Sequence, residues 1–221
     1  MKITFWSDFN CPYSYIGIKR LTDALNELNL DFELNMKPFE LYPTMFDEPT
    51  NSMTTEYVIK YGISPQEAKE KISEVERIAL DDGINMNYAD MQITSSRNAH
   101  RLIKHVQNRH PEVLTDLIFK IFESNFTKNQ KIADIDVLTG IAEQVGLSES
   151  EIRDMLSGES YNFEVQIDEE DAIVMGVDAI PLYILAYNEE QLTIPGAYEK
   201  IDFKIALEDM ISGKLASKTF L

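Results

Sequence analysis

The sequence predicts an α/β fold that is divided by a long helical insertion. Short segments rich in β-branched and aromatic residues occur near both ends of the chain, and apolar residues three and four positions apart fill the middle. Residues 3–8 predict a buried strand, and residues 32–36 alternate apolar and polar side chains as a second strand. Between these strands the apolar spacing after Pro12 predicts a helix, with one face formed by Ile18, Leu21, Leu25 and Leu28.

The middle of the chain predicts helices without strands. Apolar stripes of helical period occupy residues 65–78, 113–122 and 137–145. Consecutive helices with short connections favour a compact helical subdomain.

The C-terminal part returns to mixed structure. Its predicted elements are a helix over 163–175, strands over 182–187 and 191–194 joined by a turn, and a helix over 202–212. The element order is therefore βαβ, then helices, then αββα. We predict a discontinuous α/β domain of residues 1–45 and 159–221, and a helical insertion subdomain of residues 46–158.

The strongly acidic composition limits the classes of partner. The chain has 221 residues with 20 basic and 38 acidic side chains, a net charge of −18. This charge disfavours nucleic acid and anionic membrane surfaces, because both are bound through patches of Lys and Arg. No apolar run approaches the roughly 20 residues of a membrane helix, and the N-terminus lacks the apolar region of a signal peptide. A single cysteine cannot form an internal disulfide, so we expect a reducing, cytoplasmic location.

That single cysteine, Cys11, is the strongest candidate for chemistry. It follows a strand and precedes Pro12, which fits the first position of a helix. The unpaired N–H groups and positive dipole end of a helix N-terminus favour a thiolate, and can lower a cysteine pKa from about 8.5 to between roughly 3.5 and 7.5. We therefore expect Cys11 to be a nucleophile with a lowered pKa, and the Ser14 hydroxyl to donate a hydrogen bond to its sulfur. The alternative is an inert buried cysteine.

A second signal is the dipeptide Ile180-Pro181, just before a predicted strand. Together with the Cys-Pro-x-x turn and the βαβ…αββα order, it resembles the thioredoxin fold. In that fold a loop with a cis-proline faces the active-site cysteine. The fold class we predict is thus a thioredoxin-like α/β fold with an inserted all-helical subdomain.

The resemblance extends to the DsbA-like family of the FrnE type and covers nearly the whole chain. Residues 8–17, Asp-Phe-Asn-Cys-Pro-Tyr-Ser-Tyr-Ile-Gly, are similar to the active-site segment of that family. Residues 98–102 (Asn-Ala-His-Arg-Leu) and 133–138 (Ala-Asp-Ile-Asp-Val-Leu) are similar to two of its helix starts. Residues 176–182 resemble its Gly-Val-x-Gly-Val-Pro-x-Phe loop, and 194–197 resemble its terminal hairpin.

The resemblance implies roles for several residues. Cys11 would be the attacking thiol, and Pro181 would be cis, with Ile180 offering main-chain groups to an extended peptide or thiol ligand. Pro12 and Tyr13 would also border that binding site.

Three further residues are candidates for a cleft. Phe39 would form an apolar wall. Asn98 and His100 come from the matching helix start, although a packing or capping role suits His100 better.

Ser14 departs from the family, which normally has Cys-Pro-Trp-Cys or Cys-Pro-Tyr-Cys here. We therefore predict a thiol–disulfide oxidoreductase that acts through one cysteine, with a mixed disulfide resolved by an external thiol. Its partners would be protein or small-molecule thiols and disulfides. No bound cofactor is expected, and glutathione or another low-molecular-weight thiol would serve as co-substrate.

Two alternatives stay open. The first is a small-thiol-dependent isomerase or transferase, like the related 2-hydroxychromene-2-carboxylate isomerases and kappa-class glutathione transferases. These typically use a serine at the helix start to activate bound glutathione. The second is a non-catalytic adaptor on the same fold. An exposed apolar helix face would allow a homodimer.

The histidines do not suggest a metal site. At about 100° per residue, His100, His105 and His110 would point in three directions around one helix and could not converge on one ion. We therefore expect no bound metal.

Overall fold

A computed structural model describes residues 1–49 and 51–214. They divide into two compact units: the sheet unit, Met1–Phe39 with the chain from Asp168, and the helical unit, Glu40–Ile167. The predicted insertion subdomain covers residues 46–158, whereas the helical unit of the structure covers residues 40–167. No helix within the described ranges is long and apolar enough to cross a bilayer.

The sheet unit contains the four strands of the described chain, in the spatial order β2-β1-β3-β4. Its elements are β1 (Lys2–Ser7), α1 (Pro12–Glu27), β2 (Glu33–Pro38), β3 (Leu182–Tyr187), β4 (Glu190–Pro195) and α9 (Lys200–Ile211). β1 pairs in parallel with β2 and antiparallel with β3, where Phe5 lies opposite Tyr183. β3 and β4 form the predicted hairpin, with Asn188 in a left-handed turn conformation. The predicted βαβ and ββα orders are confirmed.

One face of the central strands is fully buried, and the other face is partly buried. On one face Ile3, Phe5 and Leu185 are covered by the apolar sides of α1 and α9, and Phe203 of α9 stacks edge-on against Tyr183. On the other face Trp6 packs with Ala172 and Val177. Ala172 belongs to α8 (Asn162–Val174), a helix in which the limit between the units falls.

The helical unit contains helices and no strand in its described residues, as predicted. Its elements are α2 (Met53–Tyr61), α3 (Pro65–Asp81), α4 (Arg97–Arg109), a 3-10 turn (Pro111–Val113), α5 (Leu114–Phe126), α6 (Ile135–Glu143) and α7 (Glu149–Ser157). Ser64 begins α3 with a capping box, in which its hydroxyl accepts from the N–H of Glu67 and the Glu67 carboxylate accepts in return. The stripes found in the sequence correspond to α3, α5 and α6.

Arg101 joins α4 to the end of α7. Its guanidinium donates to the carbonyls of Met155 (3.1 Å), Leu156 (3.2 Å) and Ser160 (2.8 Å), and also to Gly158. The last carbonyls of a helix have no intrahelical partner, so a buried cation there satisfies them and opposes the negative end of the helix dipole.

Gly17 allows α1 to lie unusually close to β3. A Cβ at this position would stand 2.5 Å from the Tyr183 Oη and 3.2 Å from the Cα of Ala197. Both neighbours are constrained, because the Tyr183 ring is fully buried and the Ala197 contact is backbone. Only glycine fits here without displacing α1, the helix that carries Cys11.

Gly17→Ala should therefore destabilise the protein by about 1–3 kcal/mol, the usual range for an overpacked core. Gly140→Ala is the matched control, since Gly140 lies inside α6 with nothing within 4 Å of a new Cβ. That change should stabilise by about 0.5–1 kcal/mol through helix propensity. Urea unfolding of both variants and of the natural chain measures the two changes in the free energy of unfolding, which should have opposite signs.

The contact itself is tested by rescue. Gly17→Ala combined with Tyr183→Phe, which removes the hydroxyl that the new methyl group meets, should recover part of the loss. A Gly17→Ala protein as stable as Gly140→Ala would contradict the close approach.

Candidate functional site

Cys11 is the N-cap residue of α1, as the sequence indicates. β1 ends at Ser7, and the Cys11 N–H donates to the carbonyl of Asp8 (3.0 Å), which closes the turn. The Cys11 carbonyl accepts from the N–H of Ser14 (3.1 Å) and from that of Tyr15 (3.4 Å), the first α-helical hydrogen bond, and Pro12 occupies the first helical position. The cysteine is thus placed by a strand end and a helix start rather than by a mobile loop.

The Cys11 thiol faces the loop before β3. The Ile180–Pro181 peptide bond is cis, as the resemblance implied. The Cys11 Sγ lies 4.0 Å from the carbonyl oxygen of Ile180, within the range of a weak S–H···O hydrogen bond. The Pro181 carbonyl accepts from the N–H of Gly196 (2.7 Å), which ties this loop to the end of β4.

The pKa of Cys11 is raised, which corrects the expectation of a lowered value. Burial is the largest cause, because the residue is only 5% exposed and a buried thiolate loses its hydration. The hydroxyl and N–H of Ser14 and the N–H of Tyr13 lower the pKa, whereas the nearby Asp8 carboxylate raises it. The helix N-terminus therefore stabilises the thiolate by less than burial destabilises it, and the resting cysteine is a thiol.

Buried hydroxyls accompany Cys11 in this unit. The side-chain oxygens of Ser7, Ser14 and Tyr183 are all buried without a hydrogen-bond partner within normal distance. Ser14 thus lies near enough to Cys11 to lower its pKa without forming a strict hydrogen bond to it. Burial, and secondarily the charge of a Cys11 thiolate, raise the pKa of Tyr183 well above its usual value, so it stays a neutral phenol.

The predicted binding residues of the sheet unit lie in the turn that carries this thiol or in the loop that faces it, and Phe39 lies beside that loop. Pro12 is buried at the helix start, and Tyr13 is 43% exposed beside it. Phe39, predicted as a cleft wall, packs with Ile180 against the cluster of Trp6, Ala172 and Val177. The structure thus connects Phe39 to the loop that faces Cys11 through packing.

The two predicted cleft residues of the helical unit have other surroundings. The Asn98 amide donates to the carbonyl of Ala133 (3.2 Å) and accepts from Arg101 (2.9 Å). Asn98 also lines a polar pocket of about 510 Å³, together with Lys131 and Arg153. His100 is fully buried within α4.

A partly buried charge cluster, which the sequence did not predict, lies against Trp6. The Lys37 ammonium donates to Asp171 (2.7 Å) and lies 3.1 Å from the Asp168 carboxylate, and the Trp6 indole N–H donates to the Asp168 carbonyl (3.3 Å). Burial acts to lower the pKa of Lys37, but the hydrogen bonds to both carboxylates outweigh it and raise the pKa. The ionised cluster anchors α8 to β1 and β2. No local pattern marks it, because its members lie more than a hundred residues apart.

Together, the mixed sheet, the cysteine at a helix start and the facing cis-proline loop define a thioredoxin-fold protein with a single cysteine. The chain belongs to the DSBA-like thioredoxin domain family, which it matches over residues 2–207. This confirms the predicted fold class and the resemblance to the DsbA-like family.

Two relatives are similar over almost the whole chain. A probable DsbA oxidoreductase from Streptomyces coelicolor superimposes with a TM-score of 0.84 at 26% identity, covering 100% of this chain and 92% of that one. The uncharacterized protein YwbO of Bacillus subtilis is 26% identical over 210 residues, which are 94% of this chain and 96% of YwbO. Membership of this family points to thiol–disulfide oxidoreductase activity.

More distant structures share the fold alone. The cytosolic disulfide reductase DsbM from Pseudomonas aeruginosa has a TM-score of 0.65 at 14% identity, covering 96% of this chain and 99% of that one. A 2-hydroxychromene-2-carboxylate isomerase has a TM-score of 0.64 at 18% identity, covering 98% and 96%. The predicted kinship with redox enzymes and with isomerases of this type is confirmed at the level of fold.

The raised pKa of Cys11 predicts how its reactivity depends on pH. Only the thiolate is alkylated, so the rate with iodoacetamide should rise about tenfold per pH unit from pH 6 to 8 and continue to rise beyond about 8.5, the value of a free thiol. Labelling that is quenched at fixed times, followed by intact-protein mass spectrometry, measures this profile. A labelling rate that reaches a plateau below pH 7.5 would show that the helix dipole lowers the pKa of Cys11 by more than burial raises it.

Two neighbouring variants should shift the profile in opposite directions. Ser14→Ala removes a group that lowers the pKa of Cys11, so labelling at pH 8 should slow. Asp8→Asn removes a charge that raises this pKa, so labelling should quicken. The Cys11→Ser chain controls for labelling elsewhere.

Proposed function

We propose that the protein is a monothiol thiol–disulfide oxidoreductase in which Cys11 forms mixed disulfides that an external thiol resolves. The observation that carries the proposal is the position of the Cys11 sulfur, at the N-terminus of α1 and 4.0 Å from the Ile180 carbonyl. A ligand sulfur bonded to Cys11 would lie beside the main chain of residues 180–181. There an extended peptide could pair with backbone groups while its sulfur reacts.

The chemistry requires two exchange steps. The Cys11 thiolate attacks one sulfur of a disulfide R–S–S–R′, which forms Cys11–S–S–R and releases R′–S⁻. An external thiolate then attacks the R sulfur, which forms a new disulfide with R and releases the Cys11 thiolate. Electrons and atoms balance, because one disulfide is consumed and one is formed. The second step is intermolecular, since Cys11 is the only cysteine of the chain.

The burial of Cys11 favours the reductive direction. A strongly oxidising relative such as DsbA owes its potential to a stabilised reduced form, whereas the Cys11 thiolate is destabilised by burial. The mixed disulfide is correspondingly favoured. The raised pKa slows the attack of Cys11 on a disulfide only moderately. Each unit of raised pKa reduces the fraction of thiolate about tenfold at neutral pH, but the more basic thiolate attacks about threefold faster.

We propose a reducing, cytoplasmic setting with glutathione or a similar small thiol as the resolving co-substrate. A lone cysteine with no partner in the chain suits a compartment in which thiols stay reduced and an external thiol is abundant. The acidic net charge of −18 makes nucleic acid and anionic membranes poor partners. A homodimer stays a prediction from the exposed apolar helix faces.

Restoring a second cysteine tests the mechanism. With glutathione disulfide as the probe, the natural chain should gain one glutathionyl group, which persists until a thiol is added. In Ser14→Cys, the new thiol should attack Cys11 and release glutathione, leaving an internal disulfide. The adduct should then decay about a hundredfold faster or more, because the attack is intramolecular. Intact-protein mass spectrometry distinguishes the two products.

Ser14→Ala is the matched control, and its adduct should persist like that of the natural chain. If the natural chain accepts glutathione only in denaturant, Cys11 is an inert buried cysteine and the proposal fails. In that case the adaptor alternative predicts that the Cys11→Ser variant still binds the same partners.

The buried, unpartnered Ser14 hydroxyl supports one second candidate, a small-thiol-dependent isomerase or transferase. In such an enzyme this hydroxyl would donate to the sulfur of bound glutathione, and Cys11 would not react. Cys11→Ser should then keep activity on 2-hydroxychromene-2-carboxylate in the presence of glutathione. The oxidoreductase proposal instead requires that Cys11→Ser abolish every exchange reaction.

A further inference from the structure

Two histidines and a glutamate converge in the helical unit. The Nε2 of His105 lies 2.8 Å and the Nε2 of His110 lies 3.0 Å from the same oxygen, Oε1 of Glu151. The donor atoms of the three residues all lie within 4.8 Å of one another. We propose that His105, His110 and Glu151 form a binding site for a divalent transition metal, with Zn²⁺ as the best match.

The end of α4 explains why the two rings meet. A helix that continued through His110, as the spacing of 100° per residue requires, would turn the two rings apart. Instead α4 ends at Arg109, and His110 leaves it with φ −142° and ψ 50°. Its ring thereby comes to lie 5.8 Å from the His105 ring, centroid to centroid. The expectation of divergent histidines is thus wrong for this pair, whereas His100 stays apart from the group.

The donor set suits zinc. Two imidazole nitrogens and one carboxylate are a recurrent zinc ligand set, with a fourth position left for water or another ligand. Bonds of about 2.0–2.1 Å to a tetrahedral ion separate neighbouring donors by about 3.3 Å. The two separations from the Glu151 oxygen, 2.8 and 3.0 Å, need to widen by a few tenths of an ångström, and the two imidazole nitrogens, which lie within 4.8 Å of each other, would settle near the same spacing. Both histidines offer Nε2, so each Nδ1 remains for an outer hydrogen bond.

The proposed metal site is buried at His105 and open to solvent at His110 and Glu151. The His105 side chain is 9% exposed and its ring packs edge-on against Tyr161, which fixes its orientation. The side chains of His110 (29%) and Glu151 (38%) reach solvent, so an ion and its water ligand have access. A carboxylate oxygen of Glu112 lies 4.0 Å from the His110 Nδ1, so it would have to move closer to accept a hydrogen bond from a metal-bound imidazole.

A metal here would join two helices. His105 and His110 stand at the end of α4, and Glu151 lies in the first turn of α7. Arg101 already connects α4 to the other end of α7 through carbonyls. The ion would add a second connection, so its binding should stabilise the helical unit. The proposal uses no chemistry of Cys11 and stands apart from the proposed function.

The test uses the full chain with Cys11→Ser, so that no thiol can bind metal. After treatment with EDTA and gel filtration, calorimetric titration with ZnCl₂ should give one ion per chain. At a hundredfold excess over Kd, the midpoint of thermal unfolding should rise by about 5–10 °C. Titration with Co²⁺ should produce the visible absorption of a four- or five-coordinate nitrogen and oxygen site.

Three further variants in that background assign the site. His110→Asn and Glu151→Gln should each weaken Zn²⁺ binding about a hundredfold or more, and should abolish the thermal shift. Glu149→Gln is the matched control: it removes an exposed carboxylate of the same helix, which pairs with Arg153, and should leave Zn²⁺ affinity unchanged.

Two results would overturn the proposal. The first is the absence of Zn²⁺ binding at millimolar concentration, which would make the cluster an ion pair only. The second is binding that all three variants retain equally, which would indicate diffuse attraction to an acidic surface.

Discussion

The close approach of α1 to β3 at Gly17 is the constraint on which the cysteine site depends. Because no side chain separates them, the helix lies directly on the Tyr183 hydroxyl and on the chain at Ala197. The apolar face of α1 is then buried, and its first turn is set where β1 ends. Cys11 is held by this packing and meets the Ile180 carbonyl without help from a flexible segment.

The same packing decides the acidity of the thiol. A helix dipole stabilises a charge by about 0.3–1 kcal/mol and at most about 2, or roughly one and a half pKa units. Full burial can shift a pKa by about 3–5 units in the opposite direction. Cys11 is only 5% exposed, so burial raises its pKa by more than the N-cap position and the nearby serine hydroxyl lower it. A helix N-terminus therefore marks a reactive cysteine only where solvent or a ligand reaches the sulfur.

The sequence predicts what is local and fails where distant segments meet. The strand–turn–helix at Cys11 and the proline before β3 are short patterns, and both are found where predicted. The exposure of a sulfur is a tertiary property, so the direction of its pKa shift could not follow from its neighbours in sequence. The histidine pair was misjudged for a different reason. The rule of 100° per residue holds only within a helix, and α4 stops one residue before His110.

The single thiol and its burial together slow the resolving step of a redox cycle. In a dithiol enzyme the second cysteine attacks the mixed disulfide at high effective concentration, so the bound group is released without an external thiol, which is needed only later to reduce the internal disulfide. With Ser14 in that place, release of Cys11 becomes bimolecular. The group released is also a poor leaving group, because burial raises the pKa of its thiol. Both effects slow resolution, and the raised pKa slows the first attack as well. The rate of a cycle would then depend on the concentration of the external thiol and on the supply of disulfide, which the redox poise of the compartment sets.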